Sequence, residues 1–246
     1  MNSRCTFIFD VPVNMQITAA IARAAGQDLS LEPCELAEPK SGEVQVKIEA
    51  CGICHTDIVA LNQQWPVPLP AVLGHEGVGR IERLGPGVEE FAVGDRVLMS
   101  FGACGQCSRC HNLEPGYCDN APLFQVMAQR LDGSSPISQR GERISGHFFA
   151  QSSFASHAVA STHNMVRLPD NLPAELMAPL ACGVQTGMAA VLVALKAKRG
   201  SALAVMGCGA VGLSAIMAAK IAGCDPIVAV DINAERRELA RELGAT

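Results

Sequence analysis

Four cysteines crowd a short stretch near the middle of the 246-residue chain. Cys104, Cys107 and Cys110 are separated by two residues each, and Cys118 follows soon after them. Such gaps let successive thiolates turn towards one ion, and zinc binds four thiolates tetrahedrally at about 2.3 Å. A closed shell of four sulfurs leaves no position for substrate, so the spacing predicts a structural zinc site. His111, beside the third thiol, is predicted to lie on the surface.

The alternatives for this cluster are four unrelated buried cysteines or two disulfide bonds. The chain has 11 cysteines, and Met1–Asn14 lacks the charged start and long apolar core of a secretory signal. Cysteines in such a chain ordinarily stay reduced, which favours a metal over disulfides. We therefore predict a cytoplasmic protein in which residues 1–14 form an N-terminal extension.

The first part of the chain, up to about Pro169, has the pattern of short strands and loops. Apolar and polar residues alternate in Gln45–Glu49, Gly77–Leu84 and Gly94–Met99, which predicts a small β-rich core. Asp132–Gly146 is rich in glycine, serine and proline, so it is predicted to lack regular structure.

After Pro173 the pattern changes to alanine-rich helices and short apolar strands. Strand, helix, strand, helix is the beginning of a doubly wound parallel sheet, and this one is expected to stop after its second strand-helix unit. The predicted segments are the helices Ala174–Leu180 and Gly183–Leu195, the strand Ala202–Met206, the helix Val211–Ala222, the strand Ile227–Val230 and the helix Ala234–Leu243.

A glycine motif stands between the first of these strands and its helix. Gly207, Gly209 and Gly212 form a G-x-G-x-x-G sequence, in which glycines let the backbone turn and approach a pyrophosphate at the helix N-terminus. Asp231 ends the next strand, where it would accept hydrogen bonds from the adenosine ribose. A carboxylate there would repel a 2′-phosphate, so NAD is favoured over NADP. Without its strand context such a run would more often be a plain turn.

Three further fragments, Cys51–Asp57, Gly74–Gly77 and Ala181–Gly183, are weak evidence when each is taken alone. Together with the four-cysteine loop and the glycine loop, they resemble the zinc-containing medium-chain alcohol dehydrogenases in the order of that family. The resemblance runs from about Met15 to Thr246. It implies an α/β chain with a GroES-like catalytic domain over residues 15–183 and a partial Rossmann-type NAD-binding domain over residues 184–246.

The resemblance implies a catalytic zinc bound by Cys54, His75 and Cys182. Three protein ligands leave one coordination position open, as a catalytic zinc requires. The ion would act as a Lewis acid on the alcohol oxygen while hydride passes to the nicotinamide. Glu76 would lie close behind the metal, and Asp57 would orient the imidazole. Two zinc ions and NAD are thus the expected cofactors.

Cys51 forms a CxxC pair with Cys54, so it could instead be a second ligand or a redox partner. By position in the family motif only Cys54 is the ligand. Other roles follow from the resemblance, although ordinary packing is the alternative for each of these residues. They are the start of a proton relay (Thr56), contacts to the cofactor (His55, Thr186, Arg236) and the lining of the substrate cleft (Trp65, Phe101).

The chain has Val59 where the best-known members carry a histidine that passes the proton to solvent. The proton would then leave through water, a ribose hydroxyl or another base. Val59 and the stretch Gly146–Phe154 are similar to the aryl- or benzyl-alcohol branch of the family. The predicted reaction is oxidation of a primary, aromatic alcohol to an aldehyde.

Rival interpretations are a polyol or formaldehyde-type dehydrogenase, a non-catalytic relative, or a zinc-binding fragment without activity. The formal charge of −5 includes no basic block for a nucleic acid. Apolar runs such as Ala189–Leu195 fall short of the roughly 20 residues that span a bilayer. The expected partner is a small alcohol or aldehyde, with the full-length protein a homodimer or homotetramer.

Overall fold

The structure, a computed structural model, describes residues 14–246. The predicted N-terminal extension lies outside this range except for Asn14. The strands are β1 (Met15–Ala22), β2 (Ser30–Leu36), β3 (Glu43–Cys51), β4 (Ala71–Val72), β5 (Gly77–Leu84), β6 (Arg96–Met99), β7 (Ile137–Gln139), β8 (Glu142–Ile144), β9 (His157–Ser161), β10 (Met165–Arg167), β11 (Leu203–Met206) and β12 (Ile227–Val230). The helices are α1 (His55–Leu61), α2 (Ser108–His111), α3 (Ala121–Gln125), α4 (Ala174–Met177), α5 (Gly183–Ala189), α6 (Ala210–Ala222) and α7 (Ala234–Leu243).

Two antiparallel sheets of five strands carry the first part of the chain. One has the order β4-β1-β2-β7-β8 and the other β10-β6-β5-β3-β9. Side chains alternate between the two faces of β1, so that Ile17, Ala19 and Ile21 point into one hydrophobic core and pack there with Leu36. A second core lies against β3 and β5, around Val46. The predicted β-rich, GroES-like part of the fold is therefore confirmed.

The prediction for Asp132–Gly146 was wrong in part. β7 and β8 form a hairpin within it, and β7 extends the first sheet through the pairs Glu35↔Ser138 and Leu36↔Ile137. Serine, glycine and proline hide the strands in the sequence, because the pairing is made with a strand about 100 residues earlier. The third predicted strand also differs, since β6 begins at Arg96 rather than Gly94.

The last part of the chain is a parallel two-stranded sheet, β11 beside β12, with α6 as the crossover. Helix α6 ends at Ala222 and is capped by Gly223, whose φ of 75° is the left-handed conformation that glycine adopts without strain. The side chain of Asn233 caps α7 by accepting a hydrogen bond from the Arg236 amide. The predicted start of a Rossmann-type sheet is confirmed, whereas the division into residues 15–183 and 184–246 stays a prediction.

Two predicted helices differ in form from the structure. Helix α4 stops at Met177 and continues as a 3-10 turn over Ala178–Ala181, and α5 continues as a π-helical segment over Ala190–Ala194. Over residues 14–246 no single helix is long and apolar enough to cross a membrane. Only Ala174–Ala181 and Gly183–Ala194 taken together, with a 50° bend between them, reach that length and composition.

Candidate active site

Three separate segments bring two thiols and an imidazole together. Cys54 precedes α1, His75 lies in the loop between β4 and β5, and Cys182 lies in the turn before α5. The sulfur atoms of Cys54 and Cys182 are 3.8 Å apart. One ligand atom from each of Cys54, His75, Glu76 and Cys182 lies within 4.8 Å of the other three. The structure therefore assembles the three predicted ligands, with Glu76 beside them.

The arrangement fits a tetrahedral metal on two independent counts. A zinc–sulfur distance of about 2.3 Å places two sulfurs of a tetrahedron roughly 3.8 Å apart, which matches Cys54 and Cys182. The Nε2 atom of His75 is buried and has no hydrogen-bond partner within the described part of the chain. A buried nitrogen without a partner is costly unless something binds it. A zinc ion bound by both sulfurs and by Nε2 would satisfy it.

Asp57 holds the imidazole in this orientation. Its Oδ1 atom lies 3.1 Å from Nδ1 of His75 and also accepts from the Gly74 amide at 3.0 Å. Its Oδ2 atom accepts from the Cys54 amide at 2.9 Å. One buried carboxylate thus ties the segments of two ligands together and leaves Nε2 as the free nitrogen of His75.

The electrostatics of the cluster favour an ionised sulfur. Contact with the Cys182 thiol and with the nearby His75 imidazole lowers the pKa of Cys54 to about 3, and the thiolate is the form in which cysteine binds metals. The same contact raises the pKa of Cys182. Burial lowers the pKa of His75, but the hydrogen bond to Asp57 and the nearby Cys54 sulfur outweigh it and raise the value to about 9. Burial raises the pKa of Glu76.

Glu76 and Thr56 both lie next to predicted ligands of the cluster. Oε1 of Glu76 accepts from the Gly183 amide at 3.3 Å, next to Cys182. Its Oε2 atom lies so close to Gly52 that a Cβ there would be 2.0 Å away, which explains the glycine at that position. The hydroxyl oxygen of Thr56 is 3.6 Å from the Cys54 sulfur.

Cys51 lies apart from the cluster. Its sulfur contacts the carbonyl oxygen of Gly52 at 3.4 Å, and it is not part of the group of converging ligand atoms. Burial raises its pKa to about 12, so its thiol stays protonated. Neither a metal-ligand role nor a redox role for Cys51 has support in this geometry.

A cavity of about 200 Å³ opens beside the cluster. Two aromatic rings and the Cys182 and Thr186 side chains line it next to His75. The remaining lining comes from Gly116, Gln125, Ala181 and Gln185, and the aromatic residues are Phe101 and Phe149. The ring of Phe149 stacks on the His75 imidazole with centroids 4.6 Å apart. The cavity is therefore largely apolar at its aromatic side and directly adjacent to the predicted metal ligands.

Trp65, the other residue predicted to line the substrate cleft, is set back from the cavity. It is not among the residues that line it, but its ring lies 6.4 Å from that of Phe149. Its indole Nε1 is buried without a hydrogen-bond partner in the described part of the chain. Trp65 thus packs near Phe149 outside the lining of the cavity, whereas Phe101 lines it. A substrate-binding role for either residue stays a prediction.

The four remaining predicted ligands form a separate cluster. Cys107 and Cys110 have sulfurs 3.5 Å apart, Cys104 and Cys110 3.9 Å, and Cys107 and Cys118 4.0 Å. These distances scatter around the roughly 3.8 Å edge of a zinc–thiolate tetrahedron, and no disulfide joins the described cysteines. The residues fit a metal bound by four thiolates. His111 is exposed, as predicted.

The glycine loop has the backbone geometry that a dinucleotide site needs. Gly207 has a φ of 94°, which other residues rarely adopt. A Cβ on Gly212 would lie 1.8 Å from the Gly207 carbonyl oxygen, so only glycine lets α6 start so close to β11. A Cβ on Gly209 would meet nothing within 4 Å, which leaves open space at the start of α6.

Asp231 directly follows β12 and connects its end to the glycine loop that follows β11. Its Oδ2 atom accepts from the Cys208 amide at 2.6 Å and its Oδ1 atom from the Asn233 amide at 2.8 Å. These two bonds lower the pKa of Asp231, which keeps it ionised. Arg236 is exposed beside it, and His55 is exposed at the start of α1.

Comparison with known proteins agrees with this geometry. A family model described as an alcohol dehydrogenase GroES-like domain matches residues 40–170, and one described as a zinc-binding dehydrogenase matches residues 210–246. The chain belongs to the alcohol dehydrogenase family of zinc-binding dehydrogenases. The family predicted from the sequence is confirmed.

Individual members of this alcohol dehydrogenase family are similar over most of the chain. A geraniol dehydrogenase from Castellaniella defragrans is 45% identical over 93% of the chain and 61% of its own length. Among solved structures, an alcohol dehydrogenase zinc-binding domain protein from Burkholderia ambifaria matches with a TM-score of 0.92 and 47% identity, over 95% of this chain and 64% of that one. Benzyl alcohol dehydrogenase from Acinetobacter calcoaceticus gives 0.89 and 44%, over 94% and 63%. The chain thus spans about three-fifths of the length of these dehydrogenases.

Several residues of this candidate site could not be singled out from the sequence. Phe149 was part of an aromatic stretch but was not singled out, because its stacking on His75 depends on a left-handed backbone with a φ of 52°. Gln185 lies three residues after Cys182 on α5, and that helical spacing was the available signal. Gln125 and Gly116 come from the four-cysteine region, whose part in the cavity could not be predicted from a ligand motif.

Proposed function

We propose that the protein is a zinc-dependent alcohol dehydrogenase that oxidises a primary, aromatic alcohol to an aldehyde with hydride transfer to NAD. Because the chain spans about three-fifths of its relatives, the proposal concerns the whole protein. The observation that carries it is the buried, unpartnered Nε2 of His75 beside two thiols at the edge of an aromatic cavity. Zinc held there by Cys54, His75 and Cys182 supplies a Lewis acid for the alcohol oxygen.

The residues around the cluster have distinct tasks in this proposal. Asp57 fixes the tautomer and the angle of His75. Thr56 is the first hydroxyl that a departing proton meets, since it lies next to the Cys54 sulfur. Val59 on α1 carries no group that could pass the proton further. The proton would then leave through water, through a ribose hydroxyl of the cofactor or through another base.

An aromatic substrate is supported by the shape and chemistry of the cavity. Phe101 and Phe149 present ring faces or edges on which a planar ring can pack. Phe149 also lies over the His75 imidazole, so a ring held beside it would be next to the metal ligands. The likeness to a benzyl alcohol dehydrogenase points in the same direction.

The reaction is tested with the full-length protein and a panel of alcohols. We expect NAD reduction with benzyl alcohol at a kcat/KM at least roughly tenfold above that with ethanol, because each buried CH₂-sized contact contributes about 0.8 kcal/mol. Initial rates followed at the absorbance of NADH provide the measurement. Efficient turnover of ethanol with negligible turnover of benzyl alcohol would contradict the aromatic preference. A preference for a polyol would favour the related polyol dehydrogenases instead.

NAD is the proposed cofactor because of the glycine loop and Asp231. The loop at Gly207–Gly212 would face the pyrophosphate, and Asp231 would accept from the adenosine ribose with its remaining lone pairs. Arg236 would flank the adenosine, His55 would approach the pyrophosphate and Thr186 would pack beside the nicotinamide. Assembly of the full-length protein as a homodimer or homotetramer likewise stays a prediction.

Replacing Asp231 by serine is expected to improve the use of NADP relative to NAD. Removal of the carboxylate abolishes its repulsion of the 2′-phosphate, and we expect the ratio of the two kcat/KM values to shift roughly fivefold or more. The matched control is Asp225→Ser, which removes an exposed carboxylate at the other end of β12. An unchanged cofactor ratio in Asp231→Ser would refute the proposed role of Asp231.

A further inference from the structure

Gln151 has no exposed surface, yet its side-chain amide makes four hydrogen bonds. Its Oε1 atom accepts from the Gly77 amide at 3.1 Å and from the Ser153 hydroxyl at 2.6 Å. Its Nε2 atom donates to the carbonyl oxygens of His75 at 3.0 Å and Ser100 at 2.8 Å. An amide side chain has two N–H groups and two acceptor lone pairs. Every bond that Gln151 can make is therefore made.

Two of these hydrogen bonds fix the backbone of the segment that carries His75, a predicted metal ligand. The carbonyl of His75 and the amide of Gly77 lie on either side of Glu76, and one side chain fixes both. The position of the His75 backbone then depends on Gln151, while the angle of its ring depends on Asp57. Backbone and imidazole are thus held by different residues.

The bond to Ser100 connects this segment with the turn before α5. Ser100 follows β6, and its hydroxyl donates to the Ala181 carbonyl at 2.9 Å. The amide of Gln185 donates to the same hydroxyl at 2.7 Å. Since Ala181 precedes Cys182, a continuous path runs from His75 through Gln151 and Ser100 to the turn that carries Cys182.

We propose that Gln151 is a positioning residue that, together with Ser100, sets the spacing between the His75 and Cys182 ligands and thereby the affinity of the catalytic metal site. This inference rests on the proposed zinc site. An apolar side chain could fill this buried position, and a buried amide is costly unless all its hydrogen bonds are made. The amide at position 151 is therefore better explained by the bonds that it makes than by packing. Metal sites need their ligands held to within about 0.5 Å, and the residues that orient the ligands supply that restraint.

The test is metal retention in the full-length, zinc-loaded protein carrying Gln151→Met, which keeps the volume and removes the four bonds. We expect one zinc per chain to be lost to a chelator at a concentration ten- to a hundredfold lower than in the wild type, the usual effect of losing a residue that orients a ligand. The zinc of the four-cysteine cluster is the internal reference and should be retained. Elemental analysis after dialysis measures both.

Gln45→Met is the matched control, because Gln45 is also buried but its amide contacts the Met15 sulfur. A second variant, Ser100→Ala, removes only the hydroxyl that reaches Ala181. It should also weaken retention and shift the visible bands of the cobalt-substituted catalytic site, which a general loss of stability would not do. Wild-type retention in both Gln151→Met and Ser100→Ala would overturn this inference alone. A wild type that binds no second zinc would overturn the proposed zinc site as well.

Discussion

Replacing Cys182 by alanine is expected to remove one zinc per chain and to lower alcohol oxidation by roughly a thousandfold or more. A Lewis acid at the reacting oxygen contributes several kcal/mol to the stabilisation of the transition state, and each 1.36 kcal/mol corresponds to a factor of ten in rate. Of the three predicted ligands, only Cys54 and His75 would remain, and they lie 21 residues apart in the sequence. Metal content and initial rates of the full-length protein measure the two effects.

Cys51→Ala is the matched control for this substitution. Cys51 is a neighbouring thiol of the CxxC pair, but its sulfur is not part of the converging group of ligand atoms, and burial raises its pKa. The variant should retain two zinc ions per chain and nearly all of the activity. Loss of a zinc from Cys51→Ala, or full activity of Cys182→Ala, would show that the assignment of the ligands is incorrect.

The features that could be predicted from the sequence are those fixed by neighbours along the chain. The glycine loop is one example, because the geometry of a single strand–helix turn requires glycine at positions 207 and 212. The bounds of β12 and α7 agree with the predicted strand and helix for the same reason. The four-cysteine cluster also lies within one short loop.

Features that depend on distant pairing could not be predicted in this way. The hairpin β7–β8 is stabilised by pairing of β7 with the edge of β2, and the sequence of Asp132–Gly146 contains no signal for that pairing. The position of Phe149 over His75 depends on consecutive left-handed residues, with φ of 52° at Phe149 and 61° at Ala150. Such a backbone is held by its surroundings rather than by the preference of the residue itself.

The predicted metal ligands fall between these cases. Cys54, His75 and Cys182 were identified by their resemblance to a family, since no local pattern joins residues so far apart. The bonds that set their spacing, through Asp57 and Gln151, involve common residue types with no motif. Ligand types can thus be predicted from a sequence, whereas the residues that position them require the structure.

Replacing Cys110 by alanine is expected to release the other zinc ion and to loosen the segment Cys104–Cys118. This segment has few buried apolar side chains, and Leu113 and Tyr117 are 89% and 75% exposed. A structural zinc contributes on the order of 10 kcal/mol to the folding of a small domain that depends on it. Amide hydrogen exchange within the segment should therefore become at least about a hundredfold faster, while exchange in β1 and β3 stays slow.

The same substitution should raise the KM for the alcohol more than it lowers kcat. Gly116, within the loosened segment, and Gln125 beyond it line the cavity, whereas the three catalytic ligands come from other segments. Cys34→Ala is the matched control, because Cys34 is a buried thiol in the first sheet and is not part of either cluster. It should cost some stability while zinc content and KM stay unchanged. Slow exchange across Cys104–Cys118 after loss of the zinc would mean that the fold of this segment does not depend on the metal.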